Sequence, residues 1–397
     1  MAPEWSLLPL DLLATIALKS ETFEDFYYFS AVCRSWNHAW SSIKHQWRAT
    51  PVPWLLLAEN TNDNPHHLRN IFNLGNNKCC QFNLPETFGT RCWGSSYGWL
   101  VMATRDLSIR LFNPITKANI CFPSVETFPN PPEYVDDEKG DYPHWCLSFF
   151  LSKLIVLKVS QIDHDEFVIM ALYNEKGCLA FARHGDQSWT SIYVNKIDNM
   201  VVDVVVVEDR VFAMYEDGAV RYWNITEFQN PELGKPTDYT LSGLNILNNS
   251  ERAISNLYLL QSINSNLLVV LRYKDDLFVS DDEYFIFQDK VYETDGFKVY
   301  QINPIDKSWD EIVDLGEAAL FVGNNSSMSV STVQAKCLQR NCIYFTDDEN
   351  QCWTSPKEFG GHDMGVYDIK CNKLWRFYEG VDMNSTFCTP LWFIPRL

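Results

Sequence analysis

A small helical head followed by a large, nearly all-β body closed into a propeller is the architecture this sequence predicts, on three observations. Residues 5–48 carry apolar side chains at helical spacing, and beyond Pro53 the chain switches to short strand-like runs separated by turn residues. Several strand–turn–strand units in that second part resemble one another. At 397 residues the chain is long for one compact core, which suits a repeat-type domain with a small addition.

In the head, Leu8-Pro9 places proline where a first helical turn tolerates it, and Leu12, Leu13 and Ile16 follow on one helical face. That helix is expected to end near Ser20. Thr22 precedes Asp25 by three residues, a capping-box-like start, and Phe23, Phe26, Phe29, Val32 and Cys33 form the stripe of a second helix. A third starts near Ser35, with Trp36, Trp40 and Ile43 at helical spacing and Trp36 and Ile43 expected to close the head's own core. Three short helices in about forty residues bury too little surface to be comfortable alone, so the head is expected to dock on something. The resulting boundaries are 4–48 for the head, 49–55 for a linker around Pro51-Val52-Pro53, and 56–397 for the β body.

Strands in the body are read at Trp99-Met102, Ile109-Phe112, Phe167-Tyr173, Val211-Tyr215, Leu267-Arg272 and Cys342-Thr346. Ile109-Arg110-Leu111-Phe112-Asn113-Pro114-Ile115-Thr116-Lys117 aligns with Val299-Tyr300-Gln301-Ile302-Asn303-Pro304-Ile305-Asp306-Lys307, which Trp309 and Ile312 extend. Val366-Tyr367-Asp368-Ile369 with Lys373 and Trp375 makes a third copy, and Leu179-Ala180-Phe181-Ala182 with Trp189 and Ile192 a fourth. Hairpins that cannot bury both faces alone must stack on neighbours, and closing the stack into a ring removes most exposed edges. A β-propeller follows. At roughly 45–50 residues per blade it would have six or seven blades. A two-sheet sandwich is the alternative.

An apolar fraction of 46% and an aromatic fraction of 14%, with 17 Gly and 18 Pro, mark a packed globular chain. The formal charge is −19, of which residues 1–50 hold −1. Such a surface repels phosphate, and no basic stripe is present, so nucleic-acid partners are not expected. The acidic stretches Asp136-Asp137-Glu138 and Asp281-Asp282-Glu283 are read as solvated loops. The start Met1-Ala2-Pro3-Glu4-Trp5 has neither a basic nor an apolar leader region, and twelve cysteines occur without a CxxC pair; free thiols in the nucleus or cytoplasm are expected. The longest apolar runs, Leu147-Leu157 and Val201-Val207, are broken by Lys153 and Asp203 and are read as buried strands, with no membrane span.

The string Trp5-Ser6-Leu7-Leu8-Pro9-Leu10-Asp11-Leu12-Leu13-Ala14-Thr15-Ile16, then Asp25-Phe26, then Ala31-Val32-Cys33-Arg34-Ser35-Trp36, resembles the F-box, over about a tenth of the chain. Phe26-Tyr27 departs from the Leu-Leu usual in that family. The body resembles a plant F-box family with a kelch-like C-terminal domain. The matching strings are Gly94-Ser95-Ser96-Tyr97-Gly98-Trp99-Leu100, Leu111-Phe112-Asn113-Pro114, Phe321-Val322-Gly323-Asn324-Asn325-Ser326, Asn341-Cys342-Ile343-Tyr344-Phe345-Thr346-Asp347-Asp348, Gly365-Val366-Tyr367 and Pro390-Leu391-Trp392-Phe393. The stretch from Ser331 to Arg340 lacks the Pro-Gly often found there.

The resemblance implies a substrate-recognition subunit of an SCF ubiquitin ligase, whose F-box docks on a Skp-family adaptor and through it a cullin, while the β body captures a protein target. Leu8, Pro9, Leu12, Leu13, Ile16, Val32 and Cys33 are the residues expected to form or support the adaptor surface. A scaffold or decoy that binds the adaptor without promoting turnover is the alternative. No catalytic constellation stands out, so a non-catalytic subunit without cofactor or metal is expected. Asp163-His164-Asp165-Glu166 clusters metal-binding side chains, but consecutive residues on a strand or turn point in different directions and rarely enclose an ion; His66-His67 reads as a solvated loop, Gly360-Gly361-His362-Asp363 as a loop joining two blades, and Cys79-Cys80 as strand packing.

Overall fold

The computed structural model describes residues 5–20, 23–44, 52–59, 68–95, 97–131, 146–158, 167–192, 200–226, 239–243, 254–276, 292–302, 308–348, 362–378, 380 and 389–396. Three helices come first, α1 (Leu10–Ala17), α2 (Phe23–Ala31) and α3 (Arg34–Ile43), behind a single 3-10 turn at Trp5–Leu7. Pro9 caps α1 without an N–H to leave unpaired, and Asp11 in the first turn complements the helix dipole.

After the head the described residues are mostly strand and turn, with single 3-10 turns at Pro85–Thr87 and Val125–Thr127. Strands β1 (Trp54–Leu56), β2 (Leu68–Asn73) and β3 (Lys78–Asn83) begin the first blade. The second blade is β4 (Thr90–Gly94), β5 (Leu100–Thr104), β6 (Ile109–Phe112) and β7 (Asn119–Phe122). The third is β8 (Leu151–Lys158), β9 (Phe167–Tyr173), β10 (Cys178–Arg183) and β11 (Thr190–Ile192). The fourth is β12 (Val201–Val207), β13 (Arg210–Tyr215), β14 (Ala219–Asn224) and β15 (Tyr239–Gly243). The fifth is β16 (Asn256–Gln261), β17 (Leu267–Asp276), β18 (Tyr292–Ile302) and β19 (Trp309–Ile312). The sixth holds β20 (Ala318–Val322), β21 (Met328–Ser331), β22 (Cys342–Phe345), β23 (Gly365–Asp368) and β24 (Lys373–Trp375). Finally β25 (Leu391–Phe393) returns to the first blade and pairs antiparallel with β1, Leu391 opposite Leu56 and Phe393 opposite Trp54. The chain's last strand thus closes a ring of six separate sheets, which excludes the two-sheet sandwich and fixes the blade number at six.

All four look-alike units of the sequence are the last hairpin of a blade: β6–β7, β10–β11, β18–β19 and β23–β24. The sixth blade departs from the others, because β20 runs parallel to β22 with β21 folded antiparallel on its other edge. β1 opens at Trp54, inside the stretch that composition assigns to a linker: the prolines punctuate the chain, but Trp54 and Leu55 already face apolar partners. The run Leu147-Leu157 is also not one strand. Residues 146–150 make a buried helical turn and the sheet starts at Leu151, a distinction that a short apolar run cannot carry in its periodicity.

Six apolar cores, one between each pair of neighbouring blades, hold the ring. Within one strand the side chains alternate between two of them: Trp54 and Leu56 face the second blade, whereas Leu55 and Leu57 face the sixth. The inner strands of a blade are therefore wetted on neither face, which is why they read as continuous apolar runs, whereas outer strands such as β3 and β19 keep exposed positions. The two charges interrupting those runs meet each other. Lys153 Nζ lies 2.5 Å from Asp203 Oδ1, both side chains nearly sequestered, and each sits at a bulge in its strand. Asp203 also accepts from the backbone N–H of Leu259 on β16, so one carboxylate ties the inner strands of three blades. Near the closure, Gly94 has no substitute: a Cβ there would stand 1.9 Å from the Trp392 carbonyl oxygen, while its own carbonyl accepts from Ser326 N–H of the sixth blade at 2.9 Å.

Candidate docking surface

The head's core is small. Leu13, Ala17, Phe26, Phe29, Ala39 and Ile43 are buried, and Leu8, Ala14, Trp36 and Trp40 pack around them. α3 lies against both other helices. The Phe29 ring stands 4.3 Å from Trp36 and the Phe26 ring 5.8 Å from Trp40, so aromatic area supplies what three short helices lack in length. Trp36 and Ile43 close this core, as their helical spacing indicates. The capping-box threonine, Thr22, lies outside the described residues.

Where the interior runs out, apolar side chains remain on the outside. Leu12 and Ile16, one turn apart on α1, are 49% and 40% exposed, and Val32, in the turn before α3, is 57% exposed. Pro9 is exposed, Leu8 and Cys33 are half-buried, and Leu13 is wholly buried; Leu13 therefore supports the surface from beneath and offers no contact area. Two hydrogen bonds draw the start of α3 to the chain's beginning: Trp36 Nε1 donates to the Trp5 carbonyl at 3.1 Å and Ser35 Oγ to the Ser6 carbonyl at 2.9 Å. They set the 32–36 turn beside the turn at Trp5–Leu7. Trp5, Leu7, Leu10 and Leu18 are exposed as well, although sequence spacing did not single them out. The legible signal was their density: a helical pattern with leucines on several sides has more apolar residues than one small core can bury. Cys33 starts α3, and the Ser35 hydroxyl, 3.1 Å from its sulfur, with the Trp36 N–H, draws its thiol below the ordinary value.

The propeller carries a second concentration of polar chemistry, at the joint of the fifth and sixth blades. Arg272 on β17 is fully buried and donates to Asp363 (2.9 Å), Asp348 (3.1 Å), Thr294 Oγ1 (2.8 Å) and the Thr346 carbonyl (2.9 Å). Burial acts to raise the Asp363 carboxyl, but the Arg272 guanidinium and the Thr294 donors outweigh it and hold the group below its usual value. Burial, then Asp348, pushes the Tyr258 phenol well up. Asp347 accepts both contacts of the Tyr292 hydroxyl, at 2.8 and 2.7 Å, and His362 Nδ1 lies 3.7 Å from it. Arg272 faces two carboxylates and the Tyr258 and Tyr292 hydroxyls each meet a carboxylate, the pattern of a structural weld.

This weld corrects one expectation. His362 and Asp363 belong to the connection between β22 and β23 inside the sixth blade, not to a loop joining blades, and Asp363 points inward to Arg272. Cys79 and Cys80 lie on the outward strand β3, Cys79 exposed and Cys80 half-buried, so neither packs in a core. Asp136-Asp137-Glu138, Asp281-Asp282-Glu283, Asp163-His164-Asp165-Glu166, His66-His67 and Gly360-Gly361 lie outside the described residues. Among the described residues no group of histidine, cysteine and carboxylate side chains is placed to hold a metal ion, and no helix is long and apolar enough to cross a membrane.

A family model described as KIB1-4 beta-propeller matches residues 71–368, from β2 to the end of β23. Three Arabidopsis thaliana proteins are similar over nearly the whole chain, head included. The putative F-box protein At5g55150 is 23% identical, covering 98% of this chain and 97% of its own. The F-box protein SKIP23 is 24% identical, covering 94% and 90%. The F-box/kelch-repeat protein KIB1 is 22% identical, covering 96% and 88%.

Proposed function

The chain belongs to the KIB1-4 β-propeller family, and from that premise we propose that it is the substrate-recognition subunit of an SCF ubiquitin ligase. The head docks on a Skp-family adaptor, and through it a cullin, while the propeller captures a protein target. The observation that carries the proposal is the apolar surface of Leu12, Ile16 and Val32, left uncovered by a head whose own core is already filled. Pro9 and Leu8 extend it and Leu13 holds it from below. Completing the burial of such half-exposed side chains contributes on the order of 1 kcal/mol each before association costs. No bond chemistry is asked of the propeller. Rate would come from holding the target close to, and correctly oriented toward, a ubiquitin-loaded enzyme.

The test is co-purification of full-length protein with a Skp adaptor. Pro9→Ala combined with Leu12→Ala is expected to abolish capture while the propeller's thermal transition stays in place. Undiminished capture by that variant would remove these residues from the surface. Accumulation of a bound, ubiquitin-modified partner under proteasome inhibition separates a degradative subunit from a scaffold or decoy.

A further inference from the structure

Three successive residues of α2 face three different environments. Phe26 is fully buried in the head core, Tyr28 is 53% exposed, and Tyr27 between them packs against the apolar core shared by the first and second blades. That core contains Trp54 and Leu56 of β1 and Leu391 and Phe393 of β25, the two strands whose pairing closes the ring. On the head side, Trp40 meets both neighbours, its ring 5.8 Å from Phe26 and 6.4 Å, edge-on, from Tyr27. A helix turns about 100° per residue, so one position of α2 can reach outward while its neighbours seal the head and meet solvent. Phenol area at that position does what a leucine would not reach to do.

We propose that Tyr27 is a positioning residue, a clamp that seats the helical head on the closing blade and fixes the direction in which the head presents its exposed surface. Leu12, Ile16 and Val32 stay exposed with Tyr27 seated, so clamp and docking surface occupy different sides of the head. The clamp has a mechanical consequence. Eight peptide steps separate Lys44 from Val52, enough for a reach of roughly 25 Å when extended, so a head held by covalent continuity alone would sample many orientations. The proposal stands on this contact and is independent of the ligase assignment.

Small-angle scattering of the full-length protein tests it without any partner. Tyr27→Phe keeps the ring and is expected to superimpose on the wild type. Tyr27→Leu, which keeps helix propensity but shortens the reach, is expected to increase the maximum dimension by on the order of 10 Å. Hydrogen exchange on α1 and α3 shows whether the head stays folded. Phe82→Ser, which removes a side chain packed against the same core from the propeller side, is expected to give the same expansion with the head intact. A Tyr27→Leu curve indistinguishable from wild type would overturn the clamp, as would expansion accompanied by lost protection in Tyr27→Leu and none in Phe82→Ser.

Discussion

Of the twelve large apolar side chains exposed among the described residues, eight belong to the head: Trp5, Leu7, Leu10, Leu12, Ile16, Leu18, Tyr28 and Val32. The propeller, several times larger, leaves Met200, Ile263, Val313 and Val333, which sit singly near turns. A closed ring gives every blade face a partner, whereas three short helices run out of interior after six buried residues. Exposed apolar area in the head is thus a consequence of size that a docking protein can use. Charge follows the reverse pattern. The propeller encloses ionic groups and gives them partners, opposite charges in the pairs Arg272 with Asp363 and Lys153 with Asp203, and the carbonyls of Leu57 and Thr87 around Arg69.

The largest expected effect sharpens that second contrast. Arg272→Met would leave Asp363 and Asp348 buried without their cation and is expected to cost about 3–5 kcal/mol, read as a lower urea midpoint for the propeller. If the midpoint does not move, the weld is not holding the blades. Next, Leu13→Ala removes the centre of the head core and is expected to cost about 2–5 kcal/mol there. Hydrogen exchange should show α1 and α3 unprotected with the blades untouched; parallel loss in both parts would break the comparison.

A smaller effect depends on pH. The folded Asp363 carboxyl is held below its ordinary value, so its contribution is fully present above the unfolded value of about 4 and disappears as pH falls through the lower folded value. Asp363→Asn is expected to flatten the acid limb of the propeller's stability curve, measured by urea midpoints between about pH 5 and pH 2. An acid limb of unchanged steepness would assign acid sensitivity to other carboxylates. The smallest effect on folding is expected for Ile16→Ser, within about 0.5 kcal/mol because the side chain lies outside the head's buried core. Its adaptor capture should nonetheless fall, and that split between stability and binding separates a docking residue from a structural one.

Much of this was legible in one sequence. Period 3.6 in residues 8–43 and the move to strand runs after Pro53 report local geometry, and both parts formed as their spacing requires, except that α2 stops at Ala31 and leaves Val32 and Cys33 off its stripe, Cys33 capping α3 instead. The look-alike hairpins marked last strands because each blade repeats the same burial problem. The first blade's hairpin is less legible because its turn has Leu74 where the Asn-Pro turns have proline and is one residue longer before Lys78. The exposed apolar surface of the head was only half visible: spacing marks one face of a helix, but Leu13 and Leu12 are adjacent in sequence and opposite in fate.

By itself the sequence determined what depends on near neighbours along the chain: which segments are helix or strand, which hairpins repeat, and that the head has more apolar residues than it can cover. Tertiary structure alone decided the blade number, the pairing of β25 with β1, the meeting of Lys153 with Asp203, and the partners of Arg272 and Tyr27. Those contacts join residues tens to hundreds of positions apart. Their energies come from burial and desolvation that exist only once the ring has closed, and no local pattern of residues encodes which distant group will be there.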